Sequence, residues 1–500
     1  MEVNQRKAGV ILSYILTGTN AVIGFIYIPL LVKYLGRGEY GLYQLIGSFI
    51  VYLNLFDTSL SNTVVRYYSK YLALKDKKAE ENLLFLSSII YVFITIIIAI
   101  AGTILFFFLN NIFENSLSHS EIVSAKKMYI ILLITTVITI STSVFNSIVI
   151  AHERFIFVKS LSIFQAILTP IMVISIFYFE ASAVILVFIQ AIINILGVFL
   201  TIYYSIFRIK VKIKFHNWDT PLLKEMFYYL FFILVSVLMD QIFWRSDQIV
   251  LGIVKGTVSV AVFSIASQII NYYMTLSTSM SGVFLPSITK KVMDKASSDE
   301  LSDLFIKVGR LQYILLGVIL SGFILFGKDF ITIWVGSNFI QAYYITIIIM
   351  IPFTIDLIQN IGLTILQAKN MYSFRALLYF GMSVTKVVAS IPLAIHYGGL
   401  GAAIATGISY LVGNGIIMNI YYLKKLKLNI LSFWKEIGRL SVPIFIAFLI
   451  GLPISNVNIV NPIISLVIKI GAYVTVYGGV TWLLGMNKYE KSLLLNTLQR

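Results

Sequence analysis

The stretch MDQIFWRSDQIVLG, residues 239–252, closes an apolar run that begins near Met226, and its charges decide how the rest of the chain is read. On an ideal helix Asp240, Trp244 and Asp247 fall close together, Gln241, Arg245 and Gln248 adjoin them, and Ile242, Phe243 and Ile249 lie mostly away. A segment built for hydrocarbon with such a polar sector has three physical readings. Its ion pairs fix a helix bundle, its arginine snorkels to the headgroups, or the sector lines a water-filled cavity.

Working outward, the chain is 500 residues long, with 59% hydrophobic and 12% charged residues, whereas soluble domains carry about 25% charged. Apolar runs of span length recur from end to end. The fold class that follows is an all-α polytopic membrane protein of about 14 transmembrane helices. The first run begins near Val10 and reads as a retained span rather than a cleaved leader. There is no cysteine among the 500 residues, which excludes disulfides and thiol chemistry. His119, His152, His216 and His396 show no metal-ligand spacing, and no phosphate-binding glycine loop is present. No cofactor, metal or catalytic residue is expected, and the chain reads as a transporter rather than an enzyme.

The charges supply an independent test. With the N-terminus in the cytoplasm, 29 of the 38 Lys and Arg residues fall in inside segments, six fall outside, and Arg245, Lys386 and Lys469 remain within spans. That bias is the positive-inside pattern, and one miscounted span would invert every later loop. Both termini are therefore expected in the cytoplasm. The net charge of +16 is explained by short loops facing anionic lipid, including KDKKAEEN (75–82) and RIKVKIKFH (208–216), and calls for no nucleic-acid partner.

The chain also repeats itself. Leu35-Gly36 in KYLGRGEYGLYQLIGS matches Leu251-Gly252 at an offset of 216, and Ala151 and Phe155 in AHERFIFVKS match Ala368 and Tyr372 at 217. Six spans return a chain to the cytoplasm, so this offset predicts two parallel lobes, residues 1–215 and 216–427, followed by spans 13 and 14 within 428–500. Such repeats place a substrate site between lobes. Polar residues follow helical stripes: Ser13, Thr17 and Asn20; Ser264, Gln268, Tyr272, Thr275 and Ser279; Asp356, Gln359, Asn360 and Gln367. Ionisable groups at mid-span depth cost at least ~2.5 kcal/mol each and usually face a polar cavity. Asp57, Asp240, Asp356 and Lys386 lie at that depth, Arg66 and Arg245 nearer the span ends. Asp356 and Lys386, on adjacent spans, are the expected buried ion pair. Lys469, outside the repeat, is expected to be structural or lipid-facing.

YLGRGEYGLYQLIGSFIVYLNLFDTSLSNTVVRYYSKY (34–71), SDQIVLGIVKGTVSVAVFSIASQI (246–269), FLPSITKKV (284–292) and AHERFIFVKS (151–160) together resemble the bacterial polysaccharide-transport family. That family sits within the multidrug/oligosaccharidyl-lipid/polysaccharide exporter superfamily and flips undecaprenyl-diphosphate-linked oligosaccharides. The resemblance implies a flippase of the bacterial cytoplasmic membrane, working by alternating access and coupled to an ion gradient. It implies a cationic cavity for diphosphate and sugars, to which Arg66 and Arg245 correspond; together with the polar stripes and the deep charges, the candidate lining is Arg66, Arg245, Lys386, Asn20, Gln268, Gln359 and Asn360, with Asp57, Asp240 and Asp356 as ion-coupling candidates. The implied partners are the lipid-linked glycan, membrane lipid, and a polysaccharide polymerase and glycosyltransferases; the protein itself is expected to be a monomer. A peptidoglycan-precursor flippase and a cation-coupled multidrug exporter are the competing readings.

Overall fold

The computed structural model describes residues 4–498 apart from 295, 370, 372, 458 and 459. Lys295, Tyr372 and Arg500, which entered the charge count and the repeat, lie outside the described residues. The chain is all-α, with no strand among the described residues. In chain order the helices are α1 (Gln5–Leu53), α2 (Leu55–Leu74), α3 (Lys77–Phe113), α4 (His119–Ala151), α5 (Phe155–Phe177), α6 (Ala183–Tyr203), α7 (Thr220–Lys255), α8 (Thr257–Met293) and α9 (Ser298–Val335). They continue with α10 (Gln341–Leu357), α11 (Asn360–Ala368), α12 (Ser373–Tyr397), α13 (Gly399–Tyr410), α14 (Met418–Tyr421), α15 (Ile430–Ser455), α16 (Pro462–Val480) and α17 (Lys488–Leu498).

Local chemistry sets most helix starts. The Asp76, Ser182, Asp219, Ser297 and Asn461 side chains each accept a backbone N–H of the following first turn. Ser118 and Glu121 form a reciprocal capping box at the start of α4. Each such cap satisfies donors that a helix cannot satisfy internally.

Among the described residues twelve helices are long and apolar enough to cross a membrane, and α10 with α11, bent by 41°, make a broken thirteenth. The first of the twelve, 5–74, is divided at Gly36, whose φ of 70° and ψ of 179° are non-helical. An expectation of about 14 spans is roughly consistent with this count. Large apolar side chains such as Phe107, Phe199 and Phe445 point outward, as they must where the solvent is hydrocarbon. This is a multi-pass membrane protein.

The described chain divides into two compact units, Met1–Ala261 and Val262–Arg500. In the first, Leu60, Val64 and Tyr67 of α2 pack with Leu83 and Tyr91 of α3, Val144 and Ile148 of α4, and Leu222, Met226 and Leu230 of α7. The seventh helix thus belongs structurally with the six before it. In the second unit a satellite core joins Phe326 of α9, Ile444 and Ala447 of α15, and Leu466, Tyr473 and Tyr477 of α16.

Candidate functional site

In the first unit, the stretch 239–252 lies in α7, and its polar groups do not share one environment. Asp240 is exposed, whereas Ser246, Asp247 and Gln248 are buried, and Arg245 is half-buried between the two classes. The Arg245 guanidinium makes one long hydrogen bond, Nη1 to Gln248 Oε1 at 3.5 Å. Its electrostatic neighbours are the phenols of Tyr43 and Tyr52. Tyr43 accepts from Gln190 Nε2 at 3.1 Å, and Tyr52 donates to the Gln241 carbonyl at 3.3 Å. Among the described residues no carboxylate lies within ion-pair distance of Arg245.

The other deep cations contrast with it. Arg310 lies 2.7 Å from Glu490 and 2.8 Å from Glu436, and Lys469 lies 3.2 Å from Asp329, so Lys469 is a structural partner. Asp356 sits 3.8 Å from Arg375. The sequence pairs Asp356 with Lys386; Arg375 is a cation beside Asp356 that this pairing leaves out. Arg66 is exposed and stands over the Tyr229 ring at 4.4 Å, an amphipathic placement suited to a span end.

A second polar feature of the first unit surrounds Asp57. The helix is interrupted at Asn54, between α1 and α2, and Asp57 falls in the first turn of α2. A cavity of about 450 Å³ opens there, lined by Asn54, Asp57, Thr136, Thr139, Ser143 and Asn146 among others. Asp57 Oδ1 is buried without a hydrogen-bond partner, while the Ser143 hydroxyl faces the carboxyl. Asn20, exposed on α1, lines an adjoining cavity of about 370 Å³ that shares Ser162 and Gln165 with the first. Asn20 and Asp57 are therefore brought to one polar wall of the first unit.

In the second unit, the polar stripe of span 10 stitches the break between α10 and α11. Gln359 donates from Nε2 to Asn419 Oδ1 at 3.3 Å, and Trp434 Nε1 donates to the same oxygen at 3.0 Å. Asn360 Nδ2 lies 3.5 Å from Ser277 Oγ, which also receives Gln312 Nε2 at 3.3 Å. Backbone freed by a break at membrane depth needs such partners. Gln268 is half-buried on α8 beside Tyr272. Lys386 is buried at the wall of an apolar groove of about 580 Å³ lined by Leu377, Met382, Ile408 and Val412. The hydroxyls of Ser13, Thr17, Thr275 and Ser279 donate to carbonyls of their own helices four residues back. These four hydroxyls are thus satisfied locally rather than across helices.

Sequence reasoning missed Tyr43, Tyr52, Arg375 and the hydroxyl row TTVITISTS (135–143). The row was visible as a dense Ser/Thr run inside an apolar span. The tyrosines carry no such signal, because only the packing of α1 on α7 makes them neighbours of Arg245. Among the described residues no three His, Cys, Asp or Glu side chains converge as a metal centre.

Comparison with known proteins follows from this geometry. The fold is similar to that of a solved structure described as "Lipid II flippase MurJ, inward closed conformation", with a TM-score of 0.75 at 19% identity over 98% of this chain and 100% of that one. A multidrug-resistance MATE family transporter of the MOP superfamily, inward-facing, aligns with a TM-score of 0.67 at 15% identity over 83% of this chain and 95% of that one. A MOP superfamily transporter from Pyrococcus furiosus, whose binding pocket is described as having reverse polarity, aligns at 0.56 and 15% identity over 85% and 97%. No curated protein matches the sequence. The family described as "Polysaccharide biosynthesis protein" matches residues 7–292. That match covers more than half of the chain, and the protein accordingly belongs to the polysaccharide biosynthesis protein family, on a fold shared with flippases and exporters.

Proposed function

We propose that this protein flips an undecaprenyl-diphosphate-linked oligosaccharide across the bacterial cytoplasmic membrane by alternating access. A diphosphate bearing hydroxyl-rich sugars cannot cross ~30 Å of hydrocarbon unaided. The carrier must offer a wet polar surface with a cation for the phosphates, and needs no covalent chemistry. One observation carries the reading. Arg245 is a half-buried guanidinium on a membrane helix, set among phenols and carboxamides, with no carboxylate within ion-pair distance among the described residues. An arginine kept without an acid partner is costly unless an anion completes it, and its planar fork matches two phosphate oxygens at once. Organic cations, the cargo of a multidrug exporter, would be repelled by the same group.

The test compares Arg245→Lys with Arg245→Ala in proteoliposomes loaded with an undecaprenyl-diphosphate glycan. The lysine variant keeps charge but loses the fork, so flipping should fall partly. The alanine variant should fall further, by roughly the 1.5–3 kcal/mol typical of a hydrogen bond to a charged group. Full flipping by a well-folded Arg245→Ala protein removes Arg245 from the site. Flipping confined to the peptidoglycan precursor would assign the substrate to that competing class.

A further inference from the structure

The 450 Å³ cavity of the first unit has a composition that the diphosphate role of Arg245 does not use. Carboxamides reach it from four directions: Asn54 ahead of α2, Asn146 on α4, Gln165 on α5 and Asn194 on α6. Asn54 and Asn194 are exposed there. Among the described residues its one charged side chain is Asp57, and no Lys, Arg or His lines it. A carboxamide left open at membrane depth needs water or a ligand to satisfy it.

Donor and acceptor chemistry narrows what that ligand is. A hard cation needs oxygen acceptors alone, and a phosphate needs donors, preferably charged ones. Each carboxamide offers both, two N–H donors beside a carbonyl acceptor. A sugar hydroxyl also donates and accepts, so one carboxamide can pair with two neighbouring hydroxyls. Gln165 spends one N–H on Ile193 O at 3.1 Å and keeps its other amide proton and its oxygen. Thr135, Thr142, Ser162 and Thr201 donate to carbonyls of their own helices, and so present lone pairs to a hydroxyl proton. Phe157 adds a flat apolar wall, held by stacking on Tyr204 at 4.0 Å and 14°, against which the C–H face of a sugar ring can lie. The volume falls within the roughly 300–1,000 Å³ of small-molecule sites, room for a mono- or disaccharide.

We infer that this cavity binds a non-acidic saccharide unit of the transported glycan and rejects one that carries a carboxylate. The inference rests on the flippase reading, which supplies a glycan, and adds where its sugar is held and which sugars are refused. Asp57 sets the refusal. Its carboxylate accepts a charge-assisted hydrogen bond from a neutral sugar hydroxyl, whereas a uronate would bring a second negative charge into a lining without a base.

The experiment uses the purified full-length protein in detergent and three probes: undecaprenyl diphosphate, and the same lipid carrying a glucosyl-ended or a glucuronyl-ended disaccharide. A ligand that binds only the folded state raises the unfolding temperature in a saturable way, so half-saturating concentrations rank the probes with no transport step. The glucosyl lipid should bind more tightly than the bare lipid. The glucuronyl lipid should bind at least about 10-fold more weakly than the glucosyl one, as expected for like charges brought together in a closed site. Asn194→Leu changes an exposed position and should weaken the glucosyl lipid about 5-fold more than the bare lipid, the scale of one hydrogen bond. Asp57→Asn should draw the glucosyl and glucuronyl values together; if it does not fold, Asn194→Leu decides. Equal binding of the two glycan lipids by the wild type overturns the inference and leaves the flippase reading standing. So does a glucosyl lipid held no more tightly than the bare one, an Asn194→Leu protein that ranks the probes as the wild type does, or a wild-type ratio kept in Asp57→Asn. The expected ranking in a protein that moves no glycan in proteoliposomes overturns the flippase reading and keeps the site. Binding of none of the three probes overturns both.

Discussion

Arg310 and Arg245 are both guanidiniums on membrane helices, and their partners separate their roles. Arg310 donates from Nε and Nη2 to the two oxygens of Glu490 at 2.7 and 3.0 Å, from Nη1 to Glu436 at 2.8 Å, and from Nη2 to the Gly485 carbonyl at 2.9 Å. Glu490 is buried on α17, so this fork holds the C-terminal helix against α9 and α15. Removing one partner of a buried ion pair strands the other charge, at a cost of about 3–5 kcal/mol. Arg310→Ala should therefore lower the unfolding temperature sharply, and Glu490→Gln should expose the 486–488 junction to protease. Wild-type stability in both variants would show that the fork holds nothing. The positive-inside count takes Arg310 as one of the cytoplasmic charges, and Glu490, far along the chain, offers no hint of contact. Charge partners depend on how neighbouring helices are rotated, which a chain's own periodicity does not contain. Asp356 illustrates the same limit, since Arg375 stands 3.8 Å from it and the sequence alone does not show that nearness.

The element scale was more legible. Caps such as Ser118 with Glu121, and Pro221 just inside α7, are local signals read within one turn, and apolar length alone located the spans. The segment YLGRGEYGLY carries two glycines with different duties that sequence could not tell apart. Gly36 takes a positive φ of 70° where the chain leaves one span for the next, a conformation costly for any residue with a Cβ. Gly41 is helical, and a Cβ there would meet the Thr257 carbonyl at the start of α8. Backbone cannot swing aside as a side-chain tip can, so Gly41→Ala should cost at least the ~1–3 kcal/mol typical of overpacking. Gly47, which has open space around its Cβ position, is the control. Gly47→Ala should be neutral or slightly stabilising, because alanine is the better helix former. Equal unfolding temperatures for the two variants would remove the close approach as the reason for glycine at 41. The breaks at Asn54 and Ile358 were not legible, because no proline or glycine marks either position.

For the whole molecule, the charge distribution makes the strongest commitment. The spans of the structure carry no orientation by themselves, because a helix reads the same from either side of a bilayer. Orientation comes from the 29 to six partition of Lys and Arg between alternate loops. Each helix order that agrees with the structure admits two orientations, and the positive-inside rule predicts the one with both termini in the cytoplasm. The chain has no native cysteine, so a single introduced thiol reports its own side of the membrane without background. Thiols replacing Lys77, the first residue of α3, or Lys212, in the linker before α7, should react only after the membrane is permeabilised. Thiols replacing Ser118, at the cap of α4, or Asn456, after α15, should react with an impermeant reagent in intact cells. External reaction at Lys212 alone would mean that the first six helices do not return the chain to the cytoplasm. The near-constant offset of 216–217 residues could then no longer describe two parallel lobes, because a parallel repeat requires both lobes to enter the membrane from the same side. Reaction reversed at all four positions would instead keep the repeat and invert the molecule. The diphosphate of a cytoplasmically made substrate would then meet the opposite face of Arg245, and the proposed direction of transport would fall with it.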